Sequence, residues 1–420
     1  MSFNISLVFL SKIWYNVVEG VMLMKISRDI KYIGVNDRSI DLFEGQYKVP
    51  YGISYNSYVI VDRQIAVFDT VDAHFKDKWL SNLKTVLKSR IPDYLIVNHM
   101  EPDHSGCISD FMKLYPDTRV VATKMAFDMM SHLFKYSSFD HKIVVKEGDT
   151  IDLGKHKLSF IMAPMVHWPE VMMTYESTEK VLFSADAFGR FGANNVKENI
   201  TLWQKNMMTL LDEKPWDGEA RRYYFGIVGK YGVQVQNVLK KAKALDIKMI
   251  CPLHGPVLTD DIDYYVNRYD TWSSYQYQDR GILLAYASIY GNTKEAITQF
   301  YKTLGYASRT SEIVDLARDD FHECIAKAFL YKNLVIASPT YNGGLFPPVK
   351  NFIEGLLERN YQNRSIGIVE NGLWAPNVEN TIKQMFANSK NIRFLEPVIH
   401  MKGEVRMWDY DRLDDMFLQF

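Results

Sequence analysis

Short apolar runs, each closed by a polar or turn-forming residue, recur through the first 260 positions of the chain. Asn56 to Asp62 and Gln64 to Asp69 read as neighbouring strands joined through Asp62-Arg63. Between positions 75 and 89, Trp79, Leu80, Leu83, Val86 and Leu87 fall at helical spacing. Tyr94-Leu95-Ile96-Val97 is a short buried strand, and a short helix follows around Cys107 to Leu114. Further strand-like runs lie at Arg119 to Ala122, His141 to Lys146, Leu158 to Ala163 and Val181 to Ser184. This spacing suits a sandwich of sheets with helices outside rather than a regular strand–helix alternation. After Gly281 the rhythm changes. Strands at Gly281 to Ala287, Leu334 to Ala337 and Ser365 to Glu370 alternate with helices at Lys294 to Leu304, Pro348 to Glu358 and Val378 to Phe386. That alternation predicts a doubly wound parallel sheet. The polar and aromatic stretch from Asp263 to Arg280 lies between the two patterns, with a boundary near Asp279; it also reads as a last helix of the first domain.

Composition narrows the class. A chain of 420 residues is long enough for two domains or more, and 47% hydrophobic with 24% charged residues is ordinary for a soluble protein. A net charge of -1 gives no global attraction to nucleic acid or to an anionic membrane. No apolar run approaches the roughly 20 residues a membrane span needs. Cys107, Cys251 and Cys324 are scattered, with no Cys-x-x-Cys pair, which excludes a rubredoxin-type centre held by this chain alone and fits a reducing cytoplasm. Residues 1–24 are expected to be an extension, either an upstream start or a weakly ordered tail, because Met22 and Met24 both precede the first folded segment near Ile26. Glu19 and the lack of a small-residue cleavage site argue against a signal peptide.

The densest chemistry follows the Tyr94 strand. In Val97-Asn98-His99-Met100-Glu101-Pro102-Asp103-His104-Ser105-Gly106, four side chains able to bind a metal fall within six positions. Pro102 biases Glu101 towards extended backbone, and alternate residues of an extended segment share a face. His99, Glu101 and Asp103 are therefore expected in one site, with His104 joining through a turn. His167 (before Trp168-Pro169), Asp186 (after Val181-Leu182-Phe183-Ser184) and His254 (before Gly255-Pro256) also lie just past apolar runs. Singly each is an ordinary turn residue; together they suggest one sandwich edge that collects ligands.

The series His-x-Glu-x-Asp-His, then His, Asp and His, resembles the metallo-β-lactamase fold. Glu101 stands where zinc hydrolases of that fold carry a second His, and this substitution marks the flavodiiron proteins. The resemblance implies that His99, Glu101, His167 and Asp186 bind one iron, and that Asp103, His104, Asp186 and His254 bind the other, with Asp186 bridging. His-Trp-Pro at 167–169 and Asp-Ala-Phe-Gly at 186–189 also resemble that family, whereas Arg190-Phe191 stands where many relatives have a His.

In the second half, Ser288-Ile289-Tyr290-Gly291-Asn292-Thr293 runs from a strand into a helix N-terminus, an arrangement that offers free N–H groups to an anion. Ser338-Pro339-Thr340-Tyr341-Asn342-Gly343-Gly344 and Glu370-Asn371-Gly372-Leu373-Trp374 close two other strands on the same carboxyl edge. All three resemble flavodoxin. The resemblance implies that Ser288, Tyr290, Asn292 and Thr293 hold FMN phosphate, while Pro339 to Gly344 and Asn371 to Trp374 frame the ring; Trp374 either stacks on it or caps the core.

The whole expectation is an α/β chain: an αββα diiron domain over 25–278, then a flavodoxin-like domain over 279–420. The resemblance implies an oxidoreductase in which FMN feeds a diiron site that reduces dioxygen to water or nitric oxide to nitrous oxide. It also implies a head-to-tail homodimer and an external electron donor, a rubredoxin or a reduced deazaflavin. Two other classes remain: a dinuclear zinc hydrolase, and an FMN electron carrier with an inactive metal domain.

Overall fold

The computed structural model describes residues 14–18, 21–134, 141–194 and 216–420. The chain divides into two compact units. The first comprises the chain up to Phe43, Val49–Gly218 and Lys240–Ile262; the second comprises Glu44–Lys48, Glu219–Leu239 and Asp263–Phe420.

Two sheets form the body of the first unit. The eight-stranded sheet runs in the order Trp14–Val18, Val21–Lys25, Ile30–Tyr32, Tyr58–Val61, Ile65–Phe68, Tyr94–Ile96, Arg119–Ala122 and Lys142–Val144. The five-stranded sheet runs Thr150–Asp152, Lys157–Met162, Met172–Glu176, Val181–Phe183 and Met249–Cys251. Alternate residues of each strand face the space between the sheets. Phe68, Ile96 and Val121 from one meet Leu158, Phe160, Met172 and Phe183 from the other in a single core. At its centre the rings of Phe68 and Phe183 stack with centroids 4.0 Å apart. The outer face of the larger sheet needs its own cover because its central strands are apolar on both sides. Helix Lys76–Leu87 brings Trp79, Leu83 and Leu87 to buried positions, and Ile108–Leu114 brings Phe111. The expected extension is partly strand, since Trp14–Val18 and Val21–Lys25 pair as a hairpin at the sheet edge; residues 1–13 and 19–20 lie outside the described residues.

The second unit is built on a parallel sheet ordered Ser311–Asp315, Asp279–Tyr286, Tyr331–Tyr341, Arg364–Asn371, Ile392–Phe394, which is strand order 2-1-3-4-5. Such a sheet reverses its winding between its first and third strands and binds ligands at their carboxyl ends. Helices Asn292–Tyr306 and Met407–Phe417 pack on one face through Ile297, Phe300, Leu413 and Met416. The aromatic stretch after Asp263 packs here too. Buried Arg364 donates to the carbonyls of Tyr275, Gln276, Phe329 and Tyr331, so its charge is spread over main-chain dipoles. Phe225 stacks on Phe329 with centroids 3.9 Å apart, which accounts for segment 219–239 joining this unit.

One polar knot holds the two sheets of the sandwich together at an edge. His156 is buried, with Nδ1 3.2 Å from Glu176 Oε1 and Nε2 3.3 Å from Asp29 Oδ2. Burial alone would lower the His156 pKa, but the carboxylates of Glu176 and Asp29 beside its ring favour the protonated form, outweigh burial and raise the value. A group whose folded pKa is raised stabilises fully below its unfolded value, near 6.5, and loses that contribution as pH rises through the folded one. The metal-loaded protein should therefore show a falling denaturant midpoint from pH 6 to 9, and His156→Gln should flatten that slope. A slope that survives the substitution would place its origin elsewhere.

Candidate metal centre

The site lies where strands of both sheets end. Strand Ile65–Phe68 ends in Asp69, which adopts a left-handed backbone at φ 53°. Asp69 accepts from the N–H groups of Asn98 at 2.7 Å and His99 at 3.1 Å, and from Asn98 Nδ2 at 2.8 Å. This buried carboxyl, which burial pushes up to about 6 against those hydrogen bonds, fixes the start of the ligand loop. Glu101 then leaves on extended backbone, at ψ 138°. Asp103 and His104 do not. Pro102 opens a helical turn, Pro102–Ser105, and both residues lie in it. Pro suits the first helical position because the missing N–H would be unpaired there anyway. The ligand loop is thus half extended and half helical, where the sequence suggested an extended run through Asp103.

The other ligands arrive from the second sheet. Asp186 follows Val181–Phe183 through Ala185, left-handed at φ 50°. His254 follows Met249–Cys251, and its loop is tied down by buried Asn56, whose Nδ2 donates to the carbonyls of Pro252 at 2.7 Å and Gly255 at 2.8 Å. Tyr58 adds a hydroxyl bond of 2.7 Å to Pro252.

All seven sequence-predicted ligands converge. His99, Glu101, His167 and Asp186 place ligand atoms within 4.8 Å of one another, as do Asp103, His104 and His254. Glu101 Oε2 lies 3.2 Å from His99 Nε2 and 3.0 Å from His167 Nε2. Asp103 Oδ2 is 3.3 Å from both His104 Nε2 and His254 Nε2. Asp186 spans the two groups: Oδ2 is 3.2 Å from His167 and Oδ1 is 3.2 Å from His104.

Electrostatics show what this packing needs. Burial alone would raise the Asp186 carboxyl, but the imidazoles of His104 and His99 hold it well below the usual range. Burial opposes ionisation of Glu101 too, yet hydrogen bonds from His167 and His99 push it down to about 2. The converse holds for His167, raised to about 9 by Asp186 and Glu101 despite its burial. Both Asp103 carboxylate oxygens and Asp186 Oδ1 are nevertheless buried without a hydrogen-bond donor, and the Nε2 atoms of His104 and His254 approach to 3.0 Å. Orphaned carboxylate oxygens facing imidazole nitrogens are the signature of a place for cations, and the mixed donor set suits iron. A third cluster, Asp29, His156 and Glu179, brings its polar atoms equally close, within 4.8 Å of one another. There Lys155 Nζ already supplies the cation, 2.6 Å from Asp29, so that cluster is an ion-pair knot.

Several supporting residues were not legible as such. Glu170, directly after His167-Trp168-Pro169, sits 2.8 Å from His99 Nδ1. At the Arg190-Phe191 departure, the Phe191 ring packs on Phe43, which stands edge-on to His254 at 5.3 Å, so an aromatic wall occupies that side.

The flavin-site candidates gather at the carboxyl edge of the parallel sheet. Gly291 is left-handed at φ 100°, caps helix Asn292–Tyr306 without any side-chain bond, and has open space above it. Its N–H donates to Ser288 Oγ at 3.1 Å, Thr293 is buried, and Tyr290 is exposed. Pro339 pairs in register with Asn371. Thr340 and Tyr341 pair with Leu345 and Gly344, so Asn342-Gly343, both left-handed, form a hairpin turn rather than an irregular loop; the Asn-Gly dipeptide is the signal for it. Gly372 leaves room for Thr340, since a Cβ there would come within 2.9 Å of Oγ1. Trp374 is 69% exposed and does not cap the core. The uncapped helix end and open loops fit a phosphate and a planar ring.

Comparison with known proteins places this geometry. The chain matches the ODP family beta lactamase family over residues 53–255. It is 30% identical over 350 residues to the anaerobic nitric oxide reductase flavorubredoxin of Salmonella paratyphi B, covering 82% of this chain and 71% of that protein. This chain belongs to the flavodiiron family. It is also 28% identical over 333 residues to an uncharacterized protein of Methanocaldococcus jannaschii, covering 79% of this chain and 81% of the relative. The solved rubredoxin oxygen:oxidoreductase of Desulfovibrio gigas superposes with a TM-score of 0.83 at 22% identity, over 94% of this chain and 96% of that one. Flavodiiron proteins use FMN and a non-haem diiron centre, and both candidate sites fit them.

The flavodiiron ligand loop depends on Asp69. Asp69→Ala should strand three buried N–H donors at a cost of about 3 kcal/mol and lower iron content. Denaturant unfolding and metal analysis check this; unchanged values in both would remove Asp69 from the support of the site.

Proposed function

We propose that this flavodiiron chain reduces dioxygen to water and nitric oxide to nitrous oxide. The observation that carries the reading is Asp186, one buried carboxylate offering an oxygen to each of two ligand groups. In this reading His99, Glu101, His167 and Asp186 hold one iron, and Asp103, His104, Asp186 and His254 the other. Ser288, Tyr290, Asn292, Thr293, the 339–344 hairpin, Asn371, Gly372 and Trp374 hold FMN, so that the metal site falls within 25–278 and the flavin site within 279–420. When bound, the irons and the flavin store two electrons each, the four that dioxygen needs to become two waters.

The chain's own residues set access and polarity. His99, His104, Asp186 and His254 side chains are at most 1% exposed, whereas Glu101 is 15%, Asp103 11% and His167 10% exposed. Among the described residues of the site, Glu101, Asp103 and His167 form the lip that solvent meets, which suits a diatomic gas and the protons and water it exchanges. Trp168 stands edge-on to His99 at 5.4 Å and gives that ring an apolar neighbour on one side. The family is one of oxidoreductases, and neither the zinc-hydrolase nor the inactive-carrier reading finds support.

A rubredoxin is the proposed external donor, with a reduced deazaflavin as the second option; the rubredoxin in the names of the Salmonella relative and the Desulfovibrio structure supports it. A head-to-tail homodimer belongs to the same proposal. Among the described residues no helix is long and apolar enough to cross a membrane, and a cytoplasmic location is proposed from the three buried, unpaired cysteines.

Metal and flavin analysis, followed by anaerobic reduction and rapid mixing with each gas, tests the function. Two irons and one FMN per chain with fast reoxidation are expected, and the faster gas is the main substrate; zinc without reoxidation would overturn the reading. His254→Ala should abolish turnover with FMN retained. Thr293→Ala should weaken FMN about tenfold, the loss of one hydrogen bond, with iron unchanged.

A further inference from the structure

The two halves of the metal centre are matched in their direct donors. On the ligand assignment proposed above, each half has two imidazoles, one carboxylate of its own and one oxygen of Asp186. Donor count and charge therefore give neither iron an advantage.

The difference lies behind the imidazoles. His99 Nδ1 is 2.8 Å from Glu170 Oε1, and both side chains are fully buried. His254 Nδ1 is 2.8 Å from the carbonyl oxygen of Ser54. His104 Nδ1 is buried with no hydrogen-bond partner, and among the described residues His167 makes its hydrogen bond through Nε2. Among the described residues, His99 is the one ring of the four that a carboxylate backs. A carboxylate accepting the Nδ1 proton fixes the tautomer that leaves Nε2 bare, and it makes that nitrogen the stronger donor. A charged acceptor does this about twice as strongly as a neutral carbonyl.

The setting of Glu170 points the same way. Oε1 also accepts the Met100 N–H at 2.8 Å, which aims it, while Oε2 is buried with no partner. Thr123 Oγ1 donates to the Glu170 carbonyl at 3.1 Å and holds its backbone. No lysine or arginine pairs with Glu170 among the described residues. A buried carboxylate so placed is costly unless a positive charge lies close, and the positive charge available is that of the loaded His99 half.

We propose that Glu170 is a positioning residue that makes the centre unequal, so that the His99–Glu101–His167 half binds iron first and holds it longest. The Asp103–His104–His254 half is then the more exchangeable one.

The test is anaerobic Fe(II) titration of the full-length, FMN-loaded chain after its metal has been removed by chelation. Mössbauer spectra at one and two equivalents of 57Fe serve as the readout. The wild type should fill in two steps at least about tenfold apart. Glu170→Gln keeps the shape and an acceptor oxygen but removes the charge; it should weaken the tight step about 10- to 100-fold and leave the weak step in place. His104→Ala should abolish the weak step only, and His99→Ala the tight one. These two variants keep the proposal falsifiable if Glu170→Gln does not fold. A single step in the wild type, two undisturbed steps in Glu170→Gln, or loss of the tight step in His104→Ala would overturn the role of Glu170 while leaving the ligand set standing. Failure of the wild type to take up two irons would overturn the ligand assignment itself.

Discussion

Three carboxylates and four imidazoles are packed into a pocket that is nearly closed to water, and the rest of the first unit exists to make that tolerable. Buried charges of one sign are costly unless opposite charges lie close and every group is held in place. Glu101, Asp103 and Asp186 are each set against two or more imidazole nitrogens. Without metal, protons on the rings supply part of the balance, as the raised His167 and His254 values show despite burial that opposes them. With metal, cations supply it directly and displace those protons.

A sandwich suits this task because its strand ends meet at one edge from two independent sheets. The larger sheet delivers the His99–His104 loop, and the smaller delivers His167, Asp186 and His254. Each sheet alone would leave half a site. The loops are set by residues that touch no metal: Asp69 gathers the N–H groups before His99, and Asn56 gathers the carbonyls around His254. Both lie at the core boundary, so the precision of the site derives from the Phe68–Phe183 packing beneath it.

Much of this was legible in the sequence, for identifiable reasons. The ligand motif is compact, and His167, Asp186 and His254 each follow an apolar run, a local signal. The strand–helix alternation of the second half likewise announced its parallel sheet. What failed was backbone detail and non-local packing. Pro102 suggests an extended run through Asp103 although it opens a helical turn, because the residue permits both and context chooses. Asn342-Gly343 was passed over as loop although it makes a hairpin. Glu170 gave no signal, because a lone acidic residue after a proline is usually solvated; its burial comes from a strand end that approaches from elsewhere. Segments 44–48 and 219–239 join the second unit through contacts such as Tyr47 with Gly226 and Phe225 with Phe329, which no local pattern encodes.

The two candidate cofactor sites are kept ready by different physics. In the second unit, hydrogen bonds cross-link the loops: Glu370 Oε1 accepts from Thr340 at 3.2 Å and from the Val378 N–H at 2.7 Å. Asn377 reaches the Gly343 carbonyl at 3.1 Å, and Asn371 exchanges two bonds of 2.9 Å with Gly403. Those bonds tie the loops of the flavin edge to one another through the chain's own groups. The metal centre is the opposite case. Among the described residues its buried carboxylate oxygens face imidazole nitrogens without a hydrogen-bond donor, so its geometry is completed by the cations it binds. A chain that must hold a large planar cofactor and a pair of small cations thus uses hydrogen-bonded cross-links for the first and unresolved charge for the second.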